Sequence, residues 1–332
     1  MHTIWFGNDH PSLRRVWHPI ADVGELEGPG PHPVRLLGDD YALFHTGEDW
    51  SLLPDTCPHR LAPLTAGTLI EHADGSTVLQ CAYHGWCFGE TGTCVEIPAI
   101  GPGKTVPAGA HLTAAHAIAV RYDIIWVTLD EPVAPIPSFP EFDDDDFGRA
   151  VMPRQQWRAA AAQMADNFLD VAHFPFTHTA TIGDPDDRIV GDYELTRDGW
   201  EFSAVHAHQA KSLDGAGTLV DRTMTFTCSA PHHVRLRLDY PDMVVVLVFF
   251  HQPIDAGTTR LFCIEASTEL RQHPERAQQQ IDFQMQVGTE DRELLERIGI
   301  KAVALAPGLE ANTKADRITV ELRRMLAELA AI

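Results

Sequence analysis

The sequence predicts an α+β protein in two parts. A small all-β domain spans roughly residues 12–132, and a domain spanning 133–332 carries an antiparallel sheet covered by helices. Three observations predict it. Short apolar stretches broken by Gly and Asp turns fill the first domain at hairpin spacing. A proline-rich and then acidic run from Pro132 to Asp146 interrupts the chain. Strand-like runs between about Asp192 and Thr268 have helical periodicity before and after them.

In the first domain, residues 34–37 and 41–45 flank Gly38-Asp39-Asp40, and 69–70 and 78–81 flank an Asp74-Gly75 turn. Residues 124–129 close the domain. Between these hairpins lie Cys57-Pro58-His59-Arg60 and Cys81-Ala82-Tyr83-His84-Gly85-Trp86. Each motif pairs one thiolate with one imidazole. Zinc takes such a set, but zinc knuckles sit in short self-contained modules, and these pairs fall on loops between hairpins. A [2Fe–2S] cluster with two Cys on one iron and two His on the other needs these four ligands. Neutral imidazoles in place of two thiolates raise its potential and make it sensitive to what each ring's other nitrogen touches.

The linker contains Pro132, Pro135, Pro137 and Pro140, then Asp143 to Asp146, and reads as an extended, solvated connection. An alanine run over 158–164 starts the next helix. It leads into Asp166 to His178, DNFLDVAHFPFTH. Steps of three place Asn167, Asp170 and His173 on one helix face. Pro175 then ends or kinks the helix, so His178 swings back towards His173. Two imidazoles so close are half a metal site, open until a carboxylate arrives from elsewhere.

Residues 193–196, 202–206, 222–228, 233–238, 244–251 and 260–266 predict one antiparallel sheet, with clear alternation in Arg235-Leu236-Arg237-Leu238. His206 and His208 share a strand face and, without a carboxylate, read as structural or solvent-facing. Helical periodicity returns over 278–298 and 316–329. In the last helix Arg317, Arg323 and Arg324 are expected on the polar face. The earlier helix contains Glu290-Asp291, which helical geometry turns about 100° apart, so that only one is expected to face inward. Glu293, Glu296 and Arg297 read as a solvated charge network.

The chain has 332 residues and a formal net charge of −22, which argues against binding nucleic acid or an anionic membrane. The opening MHTIWFGNDHPSLRR has no apolar core of a signal peptide, and the longest apolar run, 243–250, is too short to cross a bilayer. A soluble cytoplasmic protein is expected. Six cysteines in this length are not a disulfide framework, and Cys87, Cys94, Cys228 and Cys263 read as buried fillers.

The C-x-H and C-x-x-H-G-W pair resembles the signature of Rieske non-haem iron oxygenases. Respiratory Rieske proteins carry a further cysteine in each loop, where this chain has Ala62 and Tyr83. The separation of 21 residues between His59 and Cys81 exceeds that of many relatives, and the excess reads as a longer hairpin tip around 71–76. The resemblance covers nearly the whole chain in the family's order. It implies a helix-grip-like second domain and a cluster on Cys57, His59, Cys81 and His84. It also implies a mononuclear Fe(II) on His173, His178 and Asp291, with O2 as co-substrate. Asp170 resembles the bridging carboxylate that meets His84 of a neighbouring subunit and orients His173, and Asn167 supports it. A ring of identical subunits, usually a homotrimer, follows, because a cluster and an iron in one chain lie too far apart. Electrons are expected from NAD(P)H through a separate flavin and iron–sulfur reductase or ferredoxin, since no G-x-G-x-x-G unit follows a strand.

Within the family the pattern is similar to methylxanthine N-demethylases and related O- and N-demethylating monooxygenases. The shared features are Trp17-His18-Pro19, N-F-x-D-x-x-H-F-x-F-x-H, Phe226-Thr227-Cys228-Ser229 and E-D-x-x-x-x-E from Glu290 to Glu296. This likeness implies hydroxylation of a methyl carbon on nitrogen or oxygen, with loss of formaldehyde, or plain hydroxylation of a small aromatic or hydrophobic substrate. Arene cis-dihydroxylation is the alternative on the same scaffold. A pure Rieske electron carrier and a zinc-stabilised binding module are the alternatives without catalysis. Phe174, Phe176 and the run 244–250 are candidates to line a pocket for a flat molecule.

Overall fold

Residues 4–47, 49–101, 104–211 and 219–332 are described in this computed structural model, with backbone only at 209–211 and 219. Arg14–Val133 forms one unit, and the residues before it join Ala134–Ile332 in the other. The short strand β1 (Trp5–Gly7) therefore belongs to the larger unit.

The smaller unit contains β2 (His18–Asp22), β3 (His32–Leu36), β4 (Asp39–His45), β5 (Trp50–Pro54), β6 (Thr68–Glu71), β7 (Thr77–Gln80), β8 (Cys87–Phe88), β9 (Cys94–Glu96), β10 (Ala117–Arg121) and β11 (Ile124–Thr128). They form three antiparallel sheets, ordered β10-β11-β2, β3-β4-β5 and β6-β7-β8-β9. The middle sheet is buried on both faces. Alternation along β4 and β5 sends Leu43 and Leu52 into one core with Ile20, Ile125 and Val127. Phe44 and Leu53 go into another core with Leu79, Phe88, Cys57 and Cys81. That second core is the floor on which the two Cys/His loops stand.

The larger unit continues with β12 (Gly148–Val151), β13 (Gln155–Trp157), α1 (Ala161–Phe168), α2 (Phe174–Thr177), β14 (Glu194–Asp198), β15 (Glu201–Lys211), β16 (Leu219–Ser229), β17 (His233–Asp239), β18 (Val244–Asp255) and β19 (Thr258–Ser267). Then come α3 (Thr268–Gln272), α4 (Ala277–Leu295), β20 (Ala302–Ala304) and α5 (Arg317–Leu329). One antiparallel sheet runs β12-β19-β18-β17-β16-β15-β14, with β13 also on β19, while β20 pairs with β1. The six strands expected from the sequence are β14 to β19; β12 and β13 extend their edge. The alternation in β17 is real: Arg235 and Arg237 both reach the buried Glu141, while Leu236 lies in the apolar row of the opposite face. Asp143 to Asp146 are exposed, as a solvated run should be.

Two local expectations are corrected. The helix through Asn167 stops at Phe168, well before Pro175. Asp170 ends it, because its Oδ1 accepts the Ala172 N–H at 2.8 Å and offers the backbone a partner outside the helix. Pro175 instead sits in the first turn of α2, where a missing N–H breaks no helical bond. In α5, Arg323 is not on a solvated face: it is largely buried and binds Asp166 of α1 and Glu310. Among the described residues no helix is long and apolar enough to cross a membrane.

Candidate metal centres

The two Cys/His loops share one construction. Leu61 N–H donates to the Cys57 carbonyl at 2.9 Å, and Gly85 N–H to the Cys81 carbonyl at 3.0 Å. Each cysteine N–H then closes its loop, Cys57 on the Ala62 carbonyl and Cys81 on that of Trp86. The turn needs a left-handed residue four places after each cysteine, and Leu61 (φ 59°) and Gly85 (φ 73°) supply it. Both thiols are buried. Burial pushes the Cys57 thiol up, the N–H groups of His59 and Arg60 pull it down, and the neighbouring Cys81 thiol pushes it up again.

The His59 ring stacks on Trp86 at 4.6 Å and meets the His84 ring edge-on at 4.4 Å. His59 Nδ1 is sealed from solvent without a hydrogen-bond partner among the described residues, a lone pair or proton with nothing to satisfy it. His84 is exposed. Two buried thiols beside two convergent imidazoles, one with an orphaned nitrogen, fit a [2Fe–2S] cluster of mixed ligation.

In the larger unit, α1, the turn after it, α2 and α4 bring a second set together. His173 Nε2 and His178 Nε2 lie 3.1 Å apart, and Asp291 Oδ1 lies 3.3 and 3.1 Å from them. Hydrogen bonding fixes the rings. His173 Nδ1 faces Asp170 Oδ2 at 3.1 Å, and His178 Nδ1 faces Glu290 Oε2 at 2.7 Å. With each Nδ1–H donating to a carboxylate, both Nε2 lone pairs and a carboxylate oxygen aim at one point. Such a convergence of acceptors needs a cation. Donors about 2.1 Å from a first-row metal, at right angles, stand about 3 Å apart, as these do. A 2-His-1-carboxylate face of this kind suits Fe(II) with positions left open.

The electrostatics agree. Burial disfavours a charged His173, but hydrogen bonds to Asp170 and Asp291 overcome it and raise the imidazole to about 9. His178 is raised too, burial being outweighed by Asp291 and Glu290. Burial opposes ionisation of Asp291, yet the two imidazoles hold its carboxyl below the ordinary range. The site stabilises positive charge, whether carried by protons or by a metal.

Several expectations need revising here. Glu290 and Asp291 both serve the site. Asp291 reaches the Nε2 side, and the longer Glu290 passes around the ring to the Nδ1 side of His178. The same Glu290 Oε2 accepts from Thr181 Oγ1 at 2.7 Å. Neither Thr181 nor this role of Glu290 was legible from spacing. Asn167 Nδ2 donates to Asp291 Oδ1 at 3.1 Å and lies 3.4 Å from His173 Nε2. Phe176 is 65% exposed, so it lines no enclosed pocket within this chain, whereas Phe174 packs edge-on against both histidines. The loop after His178 folds back so closely that a Cβ on Gly183 would stand 2.0 Å from the Phe174 carbonyl, and only glycine fits. His206 and His208 stack on each other. His208 accepts from Arg222, and burial with that positive charge lowers it to about 4; among the described residues neither histidine belongs to a metal-ligating cluster.

A family model of the vanillate O-demethylase oxygenase C-terminal domain matches residues 157–331, and one of the Rieske [2Fe–2S] domain matches residues 16–113. The chain belongs to the Rieske non-haem iron oxygenases. This oxygenase is 30% identical to methylxanthine N3-demethylase NdmB of Pseudomonas putida, over 97% of this chain and 91% of that protein. Its fold superposes on NdmA of P. putida CBB5 with caffeine at a TM-score of 0.84 and 28% identity, covering 98% of this chain and 93% of the other. Dicamba monooxygenase bound to 3,6-dichlorosalicylic acid shares the fold at a TM-score of 0.80 and 23% identity, over 96% and 98% of the two chains. The oxygenase is therefore an oxidoreductase with a Rieske [2Fe–2S] cluster and a mononuclear iron. It uses O2 to hydroxylate or to N- or O-demethylate a small molecule, and belongs to a family whose members work with a reductase or ferredoxin.

Proposed function

We propose that this oxygenase demethylates a flat, small molecule at nitrogen or oxygen, with His173, His178 and Asp291 as the iron ligands and Cys57, His59, Cys81 and His84 as the cluster ligands. The observation that carries the reaction type is the whole-length likeness to NdmB and NdmA, whose names describe N-demethylation of methylxanthines. What supports the ligand set is the convergence of two Nε2 lone pairs with Asp291 Oδ1.

Iron held there supplies O2 activation, and the cluster supplies the electrons for it singly. The chain's own groups position and orient. Asp170 and Glu290 each accept an Nδ1–H and so fix the tautomer of one ligand. Asn167 holds Asp291 Oδ1 from one side. Insertion of one oxygen atom into a methyl C–H leaves a hemiaminal or hemiacetal, while the second oxygen atom takes two electrons and two protons to water. The C–N or C–O bond then breaks, releasing formaldehyde and the demethylated product.

Asp170 also has the second role in this reading. In a homotrimer it accepts a hydrogen bond from His84 of a neighbouring copy, linking one chain's cluster to the next chain's iron. The exposure of His84 and the partial exposure of Asp170 suit that contact. Electrons come from NAD(P)H through a separate flavin and iron–sulfur reductase. A cytoplasmic location accords with six free cysteines.

The test is turnover of a panel of N-methyl, O-methyl and unactivated arene substrates with a surrogate reductase, scoring formaldehyde, hydroxylated products and labelled oxygen. Formaldehyde matched to demethylated product is expected. A cis-diol carrying both atoms of labelled O2 would replace the reading with arene dihydroxylation. For Asp170→Asn, loaded with iron in excess so that both metals are present, electron arrival at the mononuclear iron should slow at least tenfold. Wild-type turnover in that variant would remove the bridge.

A further inference from the structure

The two imidazoles of the candidate iron site are each held from behind by a carboxylate, but Asn167, which holds Asp291 Oδ1, has no such support. Its own Oδ1 is sealed from solvent without a hydrogen-bond partner among the described residues. The amide is therefore aimed by the backbone of α1 and not by a second hydrogen bond. α1 is eight residues long, and a helix so short is marginal without outside ties. Two of its ties lie in the N-terminal half. Ala161 N–H donates to Asn8 Oδ1 at 2.8 Å, and Gln163 Nε2 donates to the Ile300 carbonyl at 2.6 Å.

The C-terminal turn is held through the two residues that flank Asn167. Phe168 packs on Phe249 of β18, with ring centroids 4.5 Å apart. Asp166 is bound by Arg323 of α5, whose Nη1 reaches Oδ1 and whose Nη2 stands 3.1 Å from Oδ2. Every donor of that guanidinium is committed. Nε and Nη2 donate to Glu310 Oε2 at 3.0 and 2.7 Å, and Nη1 donates to the Thr319 carbonyl at 3.0 Å. The arginine side chain is only 13% exposed. Burial pushes the Asp166 carboxyl up, Arg323 pulls it down, and the charges of Glu310 and Asp170 push it up again. A carboxylate in that place needs its arginine. Successive helical residues point about 100° apart. Fixing the directions of Asp166 and Phe168 fixes the rotation of the turn, and with it the direction of Asn167 between them.

We infer that Arg323, on the C-terminal helix, is a positioning residue of the iron site: its fork on Asp166 sets the rotation of the last turn of α1 and so aims Asn167 at Asp291 Oδ1. This rests on the ligand set proposed above and adds to it a control point on a distant helix. Lysine is no substitute, because a single ammonium cannot grip both oxygens of Asp166 and Glu310 at once.

A double-mutant cycle on the cluster-loaded full chain tests this, with Fe(II) as the probe. One readout is affinity for Fe(II) in competition with a chelator. The other is the EPR signal of the nitric oxide adduct of the bound iron, whose rhombicity reports the ligand field and not stability. Asn167→Ala should weaken Fe(II) binding about tenfold, the lower end of what a partner behind a metal ligand contributes. Arg323→Lys, which keeps the charge and loses the fork, should weaken it about fivefold and shift the EPR signal in the same sense. Together the two should weaken binding no more than Asn167→Ala alone, because a residue acting through Asn167 has nothing left to act on. Independent effects would multiply to about fiftyfold, and that result would overturn the inference. If Arg323→Lys melts early, Asp166→Leu with Arg323→Met takes its place, since an apolar pair leaves no buried charge at either position. That variant should keep the melting temperature and still bind Fe(II) about fivefold more weakly. Wild-type affinity and EPR signal in it would make the ion pair a structural tie only. Asp291→Ala, run alongside, should hold no iron at the triad. Iron retained there with an unchanged EPR signal would count against the ligand set itself, whatever the cycle between Arg323 and Asn167 gives.

Discussion

The cluster loops draw four candidate ligands from a short stretch, Cys57 to His84, and each loop is closed by its own backbone hydrogen bonds. The candidate iron triad draws its side chains from the two residues that flank α2 and from α4, and Asn167 of α1 reaches Asp291 across 124 residues of sequence. At the candidate cluster site, backbone conformation places the side chains, and among the described residues His59 Nδ1 has no hydrogen-bond partner. At the triad, a layer of side chains does the placing: Asp170 and Glu290 behind the rings, Thr181 behind Glu290, Asn167 against Asp291. The contrast is between a centre specified by turn geometry and one specified by hydrogen-bonded carboxylates. The first should fail through backbone changes, the second through changes of charge one step away from the metal.

The largest effect separates the two centres outright. Asp291→Ala should abolish turnover and remove the mononuclear iron while keeping the visible spectrum of the cluster. Cys81→Ser should bleach the cluster and leave the triad able to take up iron. Metal analysis with absorption spectra checks both. If Asp291→Ala retained its full iron content, the triad would have the wrong carboxylate, and Glu290 would be next in line.

A smaller effect tests the carboxylate layer. Glu290→Gln keeps the shape but removes the charge facing His178 Nδ1. Loss of such a partner costs about 10- to 100-fold in metal affinity. Competition against a chelator should show that loss for Glu290→Gln and a smaller one for Thr181→Val. Exposed Glu293, on the same helix, serves as the control, and Glu293→Gln should change nothing. Equal affinities in all three would mean that the rings are held by packing against Phe174 alone.

What was legible in the sequence follows the same division. The two Cys/His loops were readable as candidate cluster sites because residue type and spacing within each loop nearly determine where its side chains go. The sheet was readable from alternation, and its register follows once Leu236 and Leu247 are known to face inward. His173 and His178 were readable as a pair, but the helix carrying them was drawn too long. Asp170 acts as a helix stop, and that depends on one carboxylate oxygen choosing the Ala172 N–H over solvent. Asp291 came from resemblance, because nothing local distinguishes it from its acidic neighbours. Glu290, Thr181 and the burial of Arg323 against Asp166 are tertiary facts between distant segments. No periodicity encodes them.

The smallest effect probes the backbone side of the contrast. Leu61 and Gly85 occupy equivalent left-handed positions in the two loops, one with a side chain and one without. The left-handed conformation costs a non-glycine residue roughly 1–2 kcal/mol. Leu61 is 73% exposed, so its side chain returns little of that by burial. Leu61→Gly relieves the strain but adds freedom to the unfolded chain, worth about 0.4–1 kcal/mol. The net change should therefore lie within about 1 kcal/mol of zero. Gly85→Leu acquires the strain, and its Cβ would also stand 3.2 Å from Pro98 Cγ. That variant should lose about 1–3 kcal/mol and shed its cluster more readily on dilution or mild heating. Thermal melts of the two variants, followed at the cluster absorption, measure the asymmetry. Equal losses at both positions would mean that the loops are held by their ligands and not by their turns, and the backbone account of the cluster would go with them.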